Sequence, residues 1–270
     1  MTVTLAPLAE VVKTLQAKKT LGQHFLVHKD ICQRIAMSAG PLVGKTVIEI
    51  GPGPGGLTRS LLEQGACVYA IEKDTRCVAA LAPLKEAYSE HFSLYIQDVR
   101  RVDFARFSSP LVIANLPYNI STQLLFMWLP FLEKFDKLIL MFQKEVAERL
   151  YAQPSTKAYG RLSVLLQAKA HVTPLLHLAP GAFLPPPKVH STVVSIVPKK
   201  AAYPDLAVYT ALETLTKRAF TTRRKMVKNT LSLSEQQLAH HGIAARARAE
   251  NITVEQFLSL AAHVDTFVIA

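Results

Sequence analysis

The stretch that decides the fold is Glu49-Ile-Gly-Pro-Gly-Pro-Gly-Gly-Leu-Thr58. A short apolar run, Thr46–Ile50, leads into it and is typical of a buried strand, and helical spacing follows over 57–64. Glycine adopts positive φ at little cost and lets a ligand approach the backbone closely. A strand, a glycine-rich turn and a helix in this order form a cradle in which amide N–H groups and the helix N-terminus face a ligand. The stretch therefore predicts a ligand-binding turn.

The glycine spacing fits two classes of ligand. Gly51, Gly53 and Gly56 match G-x-G-x-x-G, the pattern of dinucleotide-binding turns. With Glu49 in front, Gly51, Gly53 and Gly55 instead form E-x-G-x-G-x-G, which resembles the S-adenosylmethionine (AdoMet) loop of Rossmann-like methyltransferases. The turn alone leaves both ligands open.

Composition and charge narrow the class of protein. The chain has 270 residues, 50% hydrophobic and 19% charged, with a formal net charge of +11. This is a globular composition with a bias toward polyanionic partners such as nucleic acid or an anionic membrane. No apolar run reaches membrane-spanning length, and no signal peptide is evident at the N-terminus. The three cysteines lack C-x-x-C spacing, which favours reduced thiols in a cytoplasm and argues against a zinc site.

Strands alternate with helices between residues 45 and 142. This pattern predicts an α/β fold with a mostly parallel sheet and right-handed crossovers. The strand-like runs are Thr46–Ile50, Cys67–Ile71, Phe92–Ile96, Leu111–Asn115 and Lys137–Phe142.

Polar residues stand at or just past the carboxyl ends of these strands. Ligands bind beyond those ends in open α/β sheets, so these residues should face one crevice. Glu72, about 20 residues after the glycine turn, suits ribose hydroxyls for either ligand. The others are Glu49–Gly53, Asp98 and Asn115–Tyr118.

The C-terminal part has a different pattern. A proline-rich loop, Gly181–Lys188, precedes a last strand at Thr192–Val197, and a linker at Lys199–Pro204 leads into wholly helical sequence. We therefore predict a catalytic domain over residues 1–198 and a small all-helical domain over 199–270.

The tetrapeptide Asn115-Leu-Pro-Tyr118 favours methyl transfer to an amine. An exocyclic amine on adenine is a poor nucleophile because its lone pair is delocalised into the ring. A side-chain amide oxygen and a backbone carbonyl can accept its two N–H bonds and localise that lone pair toward a methyl donor. Tyr118 offers an aromatic face on which the base can stack. Asp98 suits the amino group of the AdoMet adenine, whereas a nicotinamide enzyme needs neither residue, so the hydride-transfer alternative is disfavoured.

These motifs together identify a family. The chain, from Lys19 to about Phe257, resembles the KsgA-like bacterial small-subunit ribosomal RNA adenine dimethyltransferases. The motifs are Gly22-Gln-His-Phe-Leu26, the glycine turn, Asn115-Leu-Pro-Tyr-Asn-Ile-Ser121, Gln143-Lys-Glu-Val146, Tyr159-Gly-Arg-Leu-Ser-Val164, Phe183-Leu-Pro-Pro-Pro-Lys-Val189, Arg223-Arg-Lys225 and Ala249-Glu-Asn-Ile252. The resemblance implies a Rossmann-like class I methyltransferase domain, AdoMet as cofactor, and dimethylation of N6 on two adjacent adenines near the 3′ end of 16S rRNA. It further implies action on the small (30S) subunit or its precursor in the cytoplasm, by a monomer without membrane contact.

The resemblance also implies roles for individual residues. Cofactor contacts fall on Gln23, His24, Leu26, Glu49, Gly51, Gly53, Glu72, Lys73, Asp98, Val99 and Asn115. His24 is a departure, since bacterial members usually have Asn there. The catalytic set is Asn115, Leu116, Pro117, Tyr118 and Phe183, with Phe183 as a second aromatic ring opposite Tyr118, sandwiching a base taken out of its stack.

A run of cations in the helical part is a candidate RNA contact. Lys217, Arg223, Arg224, Lys225 and Lys228 stand close together, and the spacing predicts that Lys217, Arg224 and Lys228 share one helical face. Because the resemblance implies an RNA substrate, we expect these cations to contact RNA phosphates and not only water.

Three alternatives remain from the sequence. An erythromycin-resistance enzyme, which dimethylates large-subunit rRNA, shares the catalytic logic, but its tetrapeptide is more often N-I-P-Y. A non-catalytic RNA-binding or assembly factor on the same fold would lack site residues that are present here. An NAD-dependent oxidoreductase is the most distant.

Overall fold

The computed structural model describes residues 5–15, 22–108, 110–222 and 224–263. The chain divides into two compact units: Met1–Ala147 with Thr173–Val197, and Glu148–Val172 with Pro198–Ala270. Within the described ranges the strands are β1 Phe25–Leu26, β2 Thr46–Ile50, β3 Cys67–Glu72, β4 Phe92–Ile96, β5 Leu111–Ala114, β6 Lys137–Gln143, β7 Ala170–Leu178, β8 Phe183–Leu184 and β9 Ser191–Pro198. The α-helices are α1 Leu8–Leu15, α2 Lys29–Met37, α3 Gly56–Glu63, α4 Thr75–Ala87, α5 Tyr118–Trp128, α6 Lys144–Leu150, α7 Arg161–Lys169, α8 Leu206–Ala219, α9 Val227–Leu231, α10 Glu235–His240 and α11 Val254–Ala262.

The sheet has the predicted α/β character. The strand order is β4-β3-β2-β5-β6-β9-β7, and the pairs β2–β3, β3–β4, β2–β5 and β5–β6 are parallel, whereas β6–β9 is antiparallel. Neighbouring residues of β5, such as Val112 and Ile113, are both fully buried. A strand whose two faces are both covered needs a continuous apolar run, which is the pattern that the sequence shows. The prediction of a Rossmann-like fold with a mostly parallel sheet is confirmed.

The order of the strands positions the candidate site. β2 is an interior strand, with β3 on one side and β5 on the other. The chain reverses its direction of sheet growth at β2, so a crevice opens beyond the carboxyl ends of β2 and β5. β5 ends at Ala114, one residue earlier than predicted, so Asn115 stands just past the strand.

The second unit is helical and well capped. Asp205, Ser234 and Thr253 each accept a hydrogen bond from a backbone N–H in the first turn of the helix that follows. Such caps satisfy orphan amides and fix where a helix begins. The buried Lys169 places its ammonium 3.6 Å from the ring centroid of Tyr209, a cation–π contact that compensates burial of the charge.

The unit boundaries differ from the prediction in two respects. The second unit includes Pro198, which was predicted to end the catalytic domain, and residues 148–172 belong with the C-terminal helices and not with the sheet. Tyr159 in this segment is buried and donates its hydroxyl to the carbonyl of Ile252 at 2.9 Å. The segment also contributes α7, whose Val164 is fully buried. The sequence pattern of a short segment does not indicate which distant segment it packs against.

The predicted cationic helix face is wrong as stated. α8 ends at Ala219, a turn carries Arg224, and Lys228 belongs to the separate short helix α9. The three cations therefore do not share one continuous helix. Among the described residues, no helix combines the length and apolar character needed to cross a bilayer.

Candidate active site

The glycine turn has the backbone that its sequence predicts. Gly51 and Gly53 have φ of +65° and +56°, in the left-handed region that side chains disfavour. A Cβ on Gly53 would lie 2.9 Å from the ring of Phe25, so no side chain fits there. A Cβ on Gly51 would lie 3.7 Å from Cδ of Pro117, which shows how closely the turn approaches the N-L-P-Y tetrapeptide.

Glu72 ties the glycine turn to the end of β3. Its carboxylate accepts the backbone N–H of Gly53 at 3.2 Å and those of Lys73 and Asp74 at 2.8 Å each. Burial raises the pKa of Glu72, and the three amide bonds oppose that rise. A carboxylate has about four acceptor positions, so it keeps capacity for a further hydroxyl donor.

Asn115 has a fixed orientation. Its Nδ2 donates to the backbone carbonyl of His24 at 2.9 Å. A carbonyl can only accept, so the amide nitrogen must face His24 and Oδ1 is directed away from that carbonyl. The tetrapeptide then continues into α5, with Pro117 as its N-cap and Tyr118 as its first residue.

Tyr118 is held from two sides. Its hydroxyl is hydrogen-bonded to Oγ of Ser191 at 2.5 Å. Its ring stacks on the imidazole of His24, with centroids 5.5 Å apart and an interplanar angle of 29°. Nδ1 of His24 is in turn 2.8 Å from the carbonyl oxygen of Pro185. Ser191 was not among the predicted site residues, and only its place shortly after the proline-rich loop could have suggested it.

These groups line one cleft of about 510 Å³, its open mouth included. Its lining combines glycine backbone with a few convergent polar side chains, which is typical of a ligand-binding site. The structure brings together Gln23, His24, Gly51, Gly53, Glu72, Lys73, Asn115, Leu116, Pro117 and Tyr118, all of which were predicted, with Gly22 and Phe25 in addition.

Leu26 and Glu49 line a smaller adjoining pocket that also touches Gly51 and Asn115. Glu49 is almost fully buried, and this burial raises the pKa of its carboxyl to about 8. Its Oε2 has no hydrogen-bond partner among the described residues. A buried acceptor without a partner is costly, and a cationic group on a ligand would satisfy it.

Asp98 and Val99 are not among the described residues that line the cleft. The Asp98 carboxylate accepts Nε of Arg100 at 3.0 Å and its terminal guanidinium nitrogen at 2.6 Å. This guanidinium holds the pKa of Asp98 well below its usual range. Val99 is buried. The structure thus gives Asp98 a strong partner that the sequence did not indicate.

Phe183 belongs to the apolar core. It is 3% exposed and belongs to the same buried apolar cluster as Leu26, its register partner in the β1–β8 pair. That pairing turns the ring into the core, and the ring stacked on Tyr118 is His24. The predicted sandwich of a base between Phe183 and Tyr118 stays a prediction.

The predicted RNA contacts lie in the second unit. Lys217, Arg224 and Lys225 are exposed, and Arg223 falls outside the described residues. Lys228 forms an ion pair with Glu235, with 2.6 Å between Nζ and Oε1. An ammonium group that is paired with a carboxylate attracts a phosphate less strongly.

The donor set fits AdoMet. The glycine turn presents backbone without side chains, Glu72 retains an acceptor for a ribose hydroxyl, and the orphaned Glu49 oxygen suits an ammonium group. Asn115 lies where the two pockets meet.

Residues 14–266 match a protein-family model described as ribosomal RNA adenine dimethylase. The chain belongs to the ribosomal RNA adenine dimethylase family. It is therefore an AdoMet-dependent rRNA adenine dimethyltransferase, as predicted, and the hydride-transfer alternative falls away.

Relatives of this dimethylase align with it over most of its length. The chain is 47% identical over 270 residues to a ribosomal RNA small subunit methyltransferase A of Azorhizobium caulinodans, covering 95% of this chain and 92% of the relative. A dimethyladenosine transferase crystal structure from Plasmodium falciparum superimposes with a TM-score of 0.78 at 26% identity, covering 90% of this chain and 98% of that one. The 23S rRNA methyltransferase ErmE gives a TM-score of 0.66 at 24% identity over 89% of this chain and 99% of its own, a likeness of fold alone.

Proposed function

We propose that this dimethylase transfers methyl groups to N6 of two adjacent adenines near the 3′ end of 16S rRNA, in the small ribosomal subunit or its precursor. The enzyme acts in the cytoplasm as a monomer and takes part in subunit maturation. A relative that is 47% identical is named as a ribosomal RNA small subunit methyltransferase, which supports this substrate. The net charge of +11 supports a polyanionic partner.

The observation that carries the proposal is the orientation of Asn115. Because Nδ2 is engaged by the His24 carbonyl, Oδ1 is left to accept an N–H of the adenine amine. The backbone carbonyl of Leu116 or Pro117 accepts the second N–H. These two bonds localise the nitrogen lone pair without removing a proton first, which is an electrostatic and positional form of catalysis.

Bound AdoMet supplies the electrophilic methyl group. Glu72 binds the ribose hydroxyls, and the glycine turn lets the backbone come close to the cofactor. Tyr118 supplies the face on which the adenine stacks after leaving its RNA stack. The amine proton that is lost after transfer passes to water. Arg224 and Lys225, with Arg223, bind RNA phosphates.

The test uses ribosomes from a strain that lacks this protein. N6,N6-dimethyladenine blocks Watson–Crick pairing, so primer extension stops at each dimethylated site. We expect stops near the 3′ end of 16S rRNA to be absent in the deletion strain and restored by the wild-type gene but not by Asn115→Ala. Stops restored instead in large-subunit rRNA support the erythromycin-resistance type of activity. Restoration by Asn115→Ala contradicts the proposed mechanism.

A further inference from the structure

The Tyr118 hydroxyl is hydrogen-bonded to Ser191, a residue that the sheet holds in place. Ser191 is fully buried and is the first residue of β9. It lies in register with Gln143 of β6, and the neighbouring His190 accepts the N–H of Lys144 at 2.9 Å. The backbone on which the Ser191 hydroxyl stands is therefore anchored to the sheet, and the 2.5 Å bond carries that rigidity to the phenol of Tyr118.

The same chain segment also holds the ring stacked on Tyr118. Pro185, six residues before Ser191, presents its carbonyl oxygen 2.8 Å from Nδ1 of His24. Both rings at the mouth of the cleft are thus tied to residues 185–191. This segment therefore helps to position both rings.

We propose that Ser191 is a positioning residue for methyl transfer: its hydroxyl fixes the position of the Tyr118 ring, so that a stacked adenine presents its amine to Oδ1 of Asn115. The inference rests on the stacking role of Tyr118 in the proposed function.

The physical reason lies in the freedom of an aromatic side chain. The Tyr118 ring is only partly buried and moves with its χ1 torsion, so packing alone leaves the position of its far end loosely defined. The para hydroxyl lies on the χ2 axis, so its hydrogen bond anchors the far end of the ring, while the stacked imidazole of His24 restricts the ring plane. Small displacements of a reacting group greatly reduce the reaction rate. A less firmly held ring should therefore lower the rate of methyl transfer while leaving cofactor binding intact.

The test is a double-mutant cycle with Ser191→Ala, Tyr118→Phe and the double variant, assayed by single-turnover methyl transfer at saturating AdoMet and small subunits. Either single change removes the same hydrogen bond, worth about 1 kcal/mol, so we expect each to slow transfer about 5-fold. The double variant should be no slower than either single one. Ser195→Ala, on the same strand in register with Ile139, is the matched control and should transfer at the wild-type rate.

A second readout is independent of activity. In protein labelled with ¹³C at tyrosine Cζ, the Tyr118 resonance is identified by its loss in Tyr118→Phe. It should move in Ser191→Ala and stay in place in Ser195→Ala. An unmoved resonance overturns the inference even if no methyl transfer is detected.

The kinetic outcomes separate this inference from the proposed function. If Ser191→Ala slows transfer as much in the Tyr118→Phe background as in the wild type, Ser191 acts otherwise than through the phenol, and the inference is wrong. If the wild-type protein fails to methylate small subunits while the resonance moves as expected, the substrate assignment fails and the hydrogen bond stands.

Discussion

The side-chain amide of Asn115 donates to the backbone carbonyl of His24 over 2.9 Å, across 91 residues of sequence. This bond decides which end of the amide faces His24 and which end remains for a substrate. It also explains how His24 can hold its position in the cleft whatever its side chain, because the contact is made by its main chain. The first prediction follows from this pair.

We expect Asn115→Ala to slow methyl transfer by about 100-fold or more, since the acceptor matters chiefly in the transition state. RNA affinity should change by less than about 3-fold. Single-turnover transfer of labelled methyl to small subunits measures the first quantity, and filter binding measures the second. Asn229→Ala is a suitable control, because Asn229 is an exposed asparagine in α9. A near-normal rate for Asn115→Ala removes the tetrapeptide from the mechanism and revives the non-catalytic alternative.

Glu72→Ala should weaken AdoMet binding by about 10- to 100-fold, the range for a hydrogen bond to a charged group. The change also removes the acceptor of the Gly53 amide, so the glycine turn loses a support as well as a ligand contact. Titration calorimetry measures the affinity, and circular dichroism checks the fold. Glu63→Ala, at the exposed end of α3, is the control for loss of one carboxylate. Unchanged affinity in Glu72→Ala excludes this residue from the cofactor site.

AdoMet binding should release a proton from Glu49. The pKa of this carboxyl is about 8 in the folded protein, so the group is mostly protonated at neutral pH. An ammonium group nearby favours the ionised form and lowers that pKa, so affinity should rise as the pH increases from about 6 to about 7.5. Calorimetry at neutral pH in two buffers of different ionisation enthalpy counts the released protons. Glu49→Gln cannot ionise and should show no such release; an equal release in that variant assigns the proton to another group.

RNA affinity should fall as salt rises, because phosphate contacts release counterions. Replacing Arg223, Arg224 and Lys225 by alanine should reduce the slope of log affinity against log salt by about 0.7 to 0.9 for each phosphate contact that is lost. Lys29→Ala is the control, since the Lys29 ammonium is already paired with Glu63 at 3.0 Å. A slope that is the same in the triple variant and the wild type shows that this cluster does not touch phosphates.

The sequence by itself determined the α/β fold, the position of the glycine turn and most of the cleft lining. Each depends on local properties: apolar runs make strands such as Thr46–Ile50, and only glycine tolerates the φ of +56° at residue 53 beside the Phe25 ring. Parallel strands bring their carboxyl ends to one edge of the sheet. Glu72 and Asn115 therefore line the same cleft regardless of the loop conformations.

Tertiary structure alone decided which side chains pair across that edge. The Arg100 guanidinium on Asp98, the burial of Phe183 and the Ser191 hydroxyl on Tyr118 each depend on the direction of a side chain. Such directions are set by strand register and by packing between distant segments, which no local pattern encodes. The assignment of residues 148–172 to the second unit has the same origin, because the Tyr159 hydroxyl finds its acceptor at Ile252, 93 residues further along the chain.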